Sequence, residues 1–403
     1  MTASGSSFLP YGRHLIDDDD VAAVAEVLRS ASLTGGPMVA RFEHAFAAAV
    51  GARHAVACAS GTAALHLAAL ALDLGPADRV VVPSVTFLAT ANAATYVGAD
   101  VVFADVDPDT GLMTPRHFEE ALTRAGRPVK AVFPVHLNGH LADIQGIADV
   151  ASSHGAAVVE DACHALGGVY RGRTGERLII GACAYSTMAC FSFHPVKVIA
   201  MGEGGAITTA DPGLAERLAR LRSHGMVREA REFTETDQAF GSDGAANPWY
   251  YEMPEPGFNY RASEIHCALG LSQLAKLDRF LARRRQLADL YDAALAPLAP
   301  LVRPVPRPVN GESGWHLYVV LIDFVRASLT RAELMNRLHK LGIGTQVHYL
   351  PVHRQPCWRQ RFRALSLPGA DAYYDRCLSL PLFPAMADTD VARVVDALAI
   401  QLR

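Results

Sequence analysis

The sequence lacks the marks of several large classes of protein. Net charge is only −4, and the lysines and arginines are dispersed, so neither nucleic acid nor an anionic membrane surface is an expected partner. No apolar run reaches the roughly 18 residues that a bilayer-spanning helix needs. The seven cysteines stand far apart, at 58, 163, 183, 190, 267, 357 and 377, with no C-x-x-C pair, so a disulfide framework is not expected. The N-terminal stretch MTASGSSFLPYGRH has neither the basic region nor the apolar core of a secretory leader. With the dispersed cysteines, this points to a reducing cytoplasm. Three common signatures are also missing: the P-loop, a G-x-G-x-x-G opening a helix after the first strand, and the G-x-S-x-G elbow.

What is present is an enzyme-sized globular chain, 403 residues long and half hydrophobic. From about residue 53, short apolar runs alternate with helical stretches: HAVACAS, RVVVPS, VVFADVD, AVFPVH, AAVVEDA and FSFH. Runs without polar alternation predict strands buried on both faces, and a βαβα succession predicts a mostly parallel sheet covered by helices. Asp17 to Asp20, just before an apolar-periodic stretch, read as helix-capping carboxylates and not as a metal cage. Residues 228–258 are irregular and polar, a long loop of the kind that carries function. Beyond it, RASEIHCALGLSQLAKLDRFLARRRQLADLYDAALAPL keeps helical spacing for more than thirty residues, which predicts one long helix bridging two domains. The expected division is a large domain over 1–255 and, over 256–403, the bridging helix with a small α+β domain built from pieces such as HLYVVLIDF and TRAELMNRLHKLG.

Three stretches carry candidate chemistry. Ser60-Gly61-Thr62-Ala63 opens a helix after a strand, which makes either a phosphate seat or a plain N-cap. Glu160 and Asp161 end a buried strand where parallel sheets bind ligands; an aspartate there is a helix cap, a salt-bridge member, or the partner of a protonated pyridine nitrogen. Lys197 follows the strand Phe191-Ser192-Phe193 and precedes the turn Gly202-Glu203-Gly204-Gly205. Such an apolar, glycine-flanked setting favours the neutral amine that Schiff-base chemistry requires. His136 and His140 have i,i+4 spacing, but Asn138-Gly139 between them signals a turn, so no metal site is expected. The stretches around Tyr318 and from His348 to His353 are either core aromatics or substrate-binding groups.

SGTAAL, TFLATANA, EDACHALG, SFHPVK, GEGG and GFNYR, in that order, resemble the sugar aminotransferase family of fold-type I pyridoxal-5'-phosphate (PLP) enzymes, the DegT/DnrJ/EryC1/StrS type. The likeness runs from PYGRHLIDDDD and LTGGP to LPLFP, nearly the whole chain. It implies the α/β fold of that class, with a large PLP-binding domain and a smaller α+β C-terminal domain. It implies that Lys197 holds PLP, that Asp161 pairs with the pyridine nitrogen, that Phe87 stacks on the ring, and that His164 lies against the ring or near its O3'. By the same match the phosphate contacts are Thr62, Ala63 and Ser192, with Asn259 reaching in from the neighbouring subunit of a homodimer with shared sites.

Within the family, SFHPVK, RSHGM, NPWYYEM and TQVHYLPVH are most similar to the transaminase of pseudaminic acid biosynthesis. That likeness implies amination by L-glutamate at C4 of UDP-2-acetamido-2,6-dideoxy-β-L-arabino-hex-4-ulose, and Tyr318 and His348 are candidate substrate donors. Two departures bear on the sugar pocket: Ala200 and Met201 stand where hydroxyl residues are usual, and Gly344 where a bulkier residue is. Alternative readings are amination of a GDP-perosamine or dTDP-amino-sugar precursor, and a PLP-binding regulatory protein without turnover. A dehydratase on the same fold would carry histidine in place of Lys197.

Overall fold

The computed structural model describes residues 8–402; residues 1–7, part of the stretch read above as lacking a leader, lie outside the described residues. Its centre is a 7-stranded sheet. Across the sheet the strands run His54–Cys58, Gly205–Thr209, Met188–Ser192, Ala157–Asp161, Ala131–Val132, Arg79–Pro83 and Asp100–Ala104. Only Gly205–Thr209 is antiparallel to its neighbours; the remaining strands point the same way.

The continuous apolar runs have the predicted cause. Successive side chains of a strand point to opposite faces, so Val80 and Val82 enter one buried cluster while Val81 enters the other. Val158 and Val159 divide in the same way, as do Cys190 and Phe191. AVFPVH forms only the two-residue strand Ala131–Val132, because Pro134 has no N–H for the ladder; pairing resumes at the isolated bridge between Val135 and Asp161. The helix Asp18–Leu28 begins as expected, with Asp17 and Asp20 forming a capping box. Residues 228–258 hold two short helical turns, Ala230–Glu232 and Thr236–Ala239, and isolated bridges such as Phe240 to Ala246.

The single long helix is not formed. The segment divides into Glu264–Leu274 and Leu277–Leu295, and Lys276 at the junction leaves helical geometry, with φ −103° and ψ 2°. The junction turns the Lys276 ammonium to the Asp17 and Asp20 carboxylates, 2.9 Å from Asp20, which is fully buried. A buried carboxylate demands such a partner, and this tertiary demand overrides the helical periodicity.

The C-terminal part carries a 3-stranded antiparallel sheet, Val302–Pro304, Tyr318–Ile322 and Cys377–Leu380, covered by Leu277–Leu295, Arg331–Lys340 and Asp388–Gln401. Its core is a separate apolar cluster around Leu287, Tyr291, Val320, Leu334 and Val394. Among the described residues no helix is long and apolar enough to cross a membrane.

Candidate active site

A cavity of about 570 Å³ opens at the carboxyl ends of the parallel strands, where open α/β sheets bind ligands. Among its lining residues are Thr62, Phe87, Asp161, His164, Ser192, Lys197 and His348. Residues scattered over nearly three hundred positions of sequence are thereby brought into one space.

The helix Gly61–Ala71 points its N-terminus at this cavity, and Ser60 caps it by accepting the Ala63 amide at 3.1 Å. A Cβ at Gly61 would lie 2.7 Å from Ser192 Cβ and 3.1 Å from Cys163 Sγ. Only glycine lets this helix end approach the neighbouring strand so closely, leaving the Thr62 and Ser192 hydroxyl residues on the same lining. Gly205 serves the same approach from the other side, since a Cβ there would stand 2.3 Å from the Ser60 carbonyl oxygen.

Asp161 is buried at the end of its strand. Its Oδ2 accepts from the Thr90 hydroxyl at 2.7 Å and its Oδ1 from the Cys163 amide at 3.2 Å. Thr90 is in turn 2.7 Å from the Thr86 hydroxyl. Among the described residues no cationic side chain forms a salt bridge with this carboxylate. Across the cavity, the Lys197 amine makes neither a hydrogen bond nor a salt bridge within the described residues. Burial pushes its pKa below the ordinary lysine value, with the charge of Asp161 opposing that shift. A larger share of neutral amine follows.

A neutral histidine wall faces the lysine. His164 Nδ1 accepts from the Asn138 backbone amide at 3.3 Å, so the ring proton sits on Nε2, 3.1 Å from the Tyr349 hydroxyl. Burial, with the nearby Lys197 charge, holds the His164 pKa well below the usual histidine range. His348 is pushed down to about 3, chiefly by burial, and its Nδ1 lies 2.7 Å from Ser379 Oγ. Phe87 stands at the N-cap position of the helix Leu88–Tyr96 and is 54% exposed, its ring tilted toward that of Tyr349 at 5.9 Å between centroids.

Three of the expected site residues stand apart from this lining. Ala63 is buried behind it, with its amide engaged by Ser60. Asn259 is exposed on the strand-like stretch that bridges to Ser223. Tyr318 is a correction: its ring stacks on Tyr291 at 4.6 Å in the apolar cluster of the C-terminal part, and its hydroxyl donates to Asp292 at 2.5 Å. Its neighbours in sequence mislead, because the strand Tyr318–Ile322 turns that side chain away from the cavity. His136 and His140 also part, one to Glu160 at 2.8 Å and the other edge-on to Trp315.

The cavity also holds Tyr11, Thr86, His194 and Gln346, which the sequence reading did not single out, and Glu203 and Tyr349, which fall within stretches it named. Thr86 precedes the helix Leu88–Tyr96 and meets Thr90 of its first turn through their hydroxyls, both within TFLATANA. Tyr11 and Gln346 carry no periodic signal.

The model of the DegT/DnrJ/EryC1/StrS aminotransferase family matches residues 14–399. The chain is 40% identical over 400 residues to the spore coat polysaccharide biosynthesis protein SpsC of Bacillus subtilis, covering 98% of each. Among solved structures it is similar to PseC of Helicobacter pylori, an aminotransferase involved in the biosynthesis of pseudoaminic acid, with TM-score 0.87, 28% identity and coverage of 98% of this chain and 99% of the other. It is also similar to the PLP form of Spr1654 from Streptococcus pneumoniae, with TM-score 0.84, 26% identity and 98% of each chain covered. A family match of this extent, on a fold-type I architecture, leaves one conclusion: the chain belongs to the DegT/DnrJ/EryC1/StrS aminotransferase family and is a PLP-dependent sugar aminotransferase.

Proposed function

We propose that this protein transfers an amino group from L-glutamate to C4 of a UDP-linked 4-keto-6-deoxy-N-acetyl sugar, UDP-2-acetamido-2,6-dideoxy-β-L-arabino-hex-4-ulose, as in pseudaminic acid-type biosynthesis. The observation that carries the chemistry is a single juxtaposition. A buried carboxylate without a cationic side-chain partner among the described residues, Asp161, and a half-buried amine with no hydrogen-bond or salt-bridge partner among them, Lys197, line one cavity.

The donor set fits PLP. Asp161 suits a protonated ring nitrogen, and Lys197 suits the aldehyde carbon. Phe87 offers an exposed aromatic face, and Thr62 and Ser192 flank a helix N-terminus suited to a phosphate. When bound, PLP supplies an electron-withdrawing ring that disperses negative charge from the carbon losing its proton. Asp161 keeps that ring protonated, and Thr90 and the Cys163 amide hold the carboxylate in place. Lys197 Nζ takes the proton from Cα of glutamate and, in the return half, delivers one to C4 of the sugar. The neutral His164 keeps its imidazole in one tautomer through Asn138, beside the reacting groups. The remote nucleotide contributes binding energy that positions C4.

We assign the acting unit as a cytoplasmic homodimer, with residues 1–255 as the PLP-binding domain and 256–403 as the remainder. Exposed Leu88, Tyr96, Trp249, Tyr251 and Met253 support a partner surface, and exposed Asn259 is free to enter a neighbouring site. Free cysteines agree with a reducing compartment. The likeness to PseC, an aminotransferase of pseudoaminic acid biosynthesis, supports a sugar of that pathway. The 40% identity to SpsC favours a second reading, another nucleotide-linked keto-sugar destined for a surface polysaccharide. A panel of UDP-, GDP- and dTDP-linked 4-keto-sugars with glutamate, followed by mass spectrometry, decides between them. Highest kcat/KM on the UDP compound is expected; a GDP or dTDP sugar turning over more efficiently overturns the substrate assignment.

A further inference from the structure

We propose that Tyr11 determines acceptance of the sugar substrate, held against the cavity by an N-terminal strap that Gly344 allows to lie flat. This inference rests on the sugar aminotransferase reading above.

The strap is pinned along its length. The Leu9 amide donates to the Gly342 carbonyl at 2.8 Å, and the Gly344 amide donates back to the Leu9 carbonyl at 2.8 Å, forming a parallel bridge at Ile343. Two residues on, the Leu382 amide donates to the Tyr11 carbonyl at 3.0 Å. Gly12 then runs beside Val196, next to the lysine, where an added Cβ would lie 3.6 Å from Val196 Cβ. Tyr11 therefore sits where the small domain meets the lysine-bearing turn. It lines the cavity, its ring lies 5.5 Å from that of His348, and its hydroxyl has no hydrogen-bond partner among the described residues.

Gly344 makes the close seat possible. A Cβ there would stand 3.1 Å from Phe8 Cζ, 3.2 Å from the Leu9 carbonyl oxygen and 3.2 Å from Pro10 Cα. Two of these three atoms are backbone of the strap, so a side chain at 344 displaces the strap itself.

The chemistry of this wall favours the sugar over the amino donor. Tyr11, Gln346, Val347 and His348 are uncharged: burial raises the Tyr11 pKa and holds His348 neutral. Neutral hydrogen-bonding groups match sugar hydroxyl or acetamido oxygens, whereas the two carboxylates of glutamate call for cations. A site built to bond one substrate oxygen discriminates against an analogue without it.

The test uses holoenzyme and whichever nucleotide-linked keto-sugar the wild type turns over, so failure of the UDP assignment does not touch it. Tyr11→Phe deletes only the hydroxyl. It should raise KM for the keto-sugar, and weaken product nucleotide-sugar binding measured by calorimetry, by about tenfold. The glutamate half-reaction, followed without sugar as the change in cofactor absorbance, should stay within about twofold of wild type. Gly344→Val should move the same sugar parameters in the same direction by lifting the strap, since the backbone at 344 is not left-handed. Unchanged sugar KM and product affinity in Tyr11→Phe, or an equal slowing of the glutamate half-reaction, would overturn the proposal.

Discussion

The Thr90 hydroxyl donates to the Asp161 carboxylate across 2.7 Å, in a place where, among the described residues, no salt-bridging cation reaches that carboxylate. The aspartate is thus oriented by hydrogen bonds and its charge is left for a bound group. Asp161→Asn keeps the shape and removes the charge; activity should fall by about 10²–10³, the scale of losing a preorganised electrostatic group. Thr90→Val removes only the orienting hydroxyl and should cost about ten- to a hundredfold, since hydrogen bonds to charged groups are worth roughly 1.5–3 kcal/mol. Steady-state kinetics at saturating PLP checks both, and a Thr90→Val enzyme as active as wild type would remove the orienting role.

The buried histidines predict how stability depends on pH. His140, His164, His316 and His348 are all held below the ordinary value of 6.5, first by burial, with His140 at about 4 and His348 at about 3. In the unfolded chain they take up protons near 6.5, while in the folded protein they do so only further down. Their contribution to stability is therefore complete above pH 6.5 and declines as pH falls from 6.5 toward 4 and below. Urea midpoints should drop steeply between pH 6.5 and 5, and His348→Gln should flatten that slope. A midpoint independent of pH in this window would contradict the neutral histidine wall.

Subunit mixing tests the exposed Asn259. If it completes a neighbouring site, Lys197→Ala and Asn259→Ala subunits, each severely impaired alone, should regain activity on mixing through one intact site per heterodimer, up to roughly a quarter of wild type. No recovery in a mixture with proven subunit exchange would place Asn259 in its own subunit's site or in none.

Much of the architecture was legible because its causes are local. Val80 to Val82 read as a strand covered on both faces, and the Asp17 to Asp20 run read as a cap, because pleat geometry and unpaired helix amides act over a few residues. The break at Lys276 was not legible, since its cause lies in Asp17 and Asp20 at the other end of the chain. Tyr318 misled for the converse reason: nothing near it in sequence announces Asp292 as its partner. Tyr11 and Tyr349 reach the cavity through a strap and a loop, which have no periodicity to reveal the face they present. Buried Arg284, donating to the carbonyls of Trp315, His316 and Leu382, likewise answers a need for donors that only the folded chain creates.

Lys197 bears the weight of the account, and it can be tested directly. Purified holoenzyme, reduced with borohydride and digested, should yield a single phosphopyridoxyl peptide modified at Lys197, the half-buried amine of the cavity that has no partner among the described residues. Reduction of the same preparation after glutamate is added in excess should release the label from the chain. A phosphopyridoxyl group fixed to any other lysine would contradict the assignment of this site.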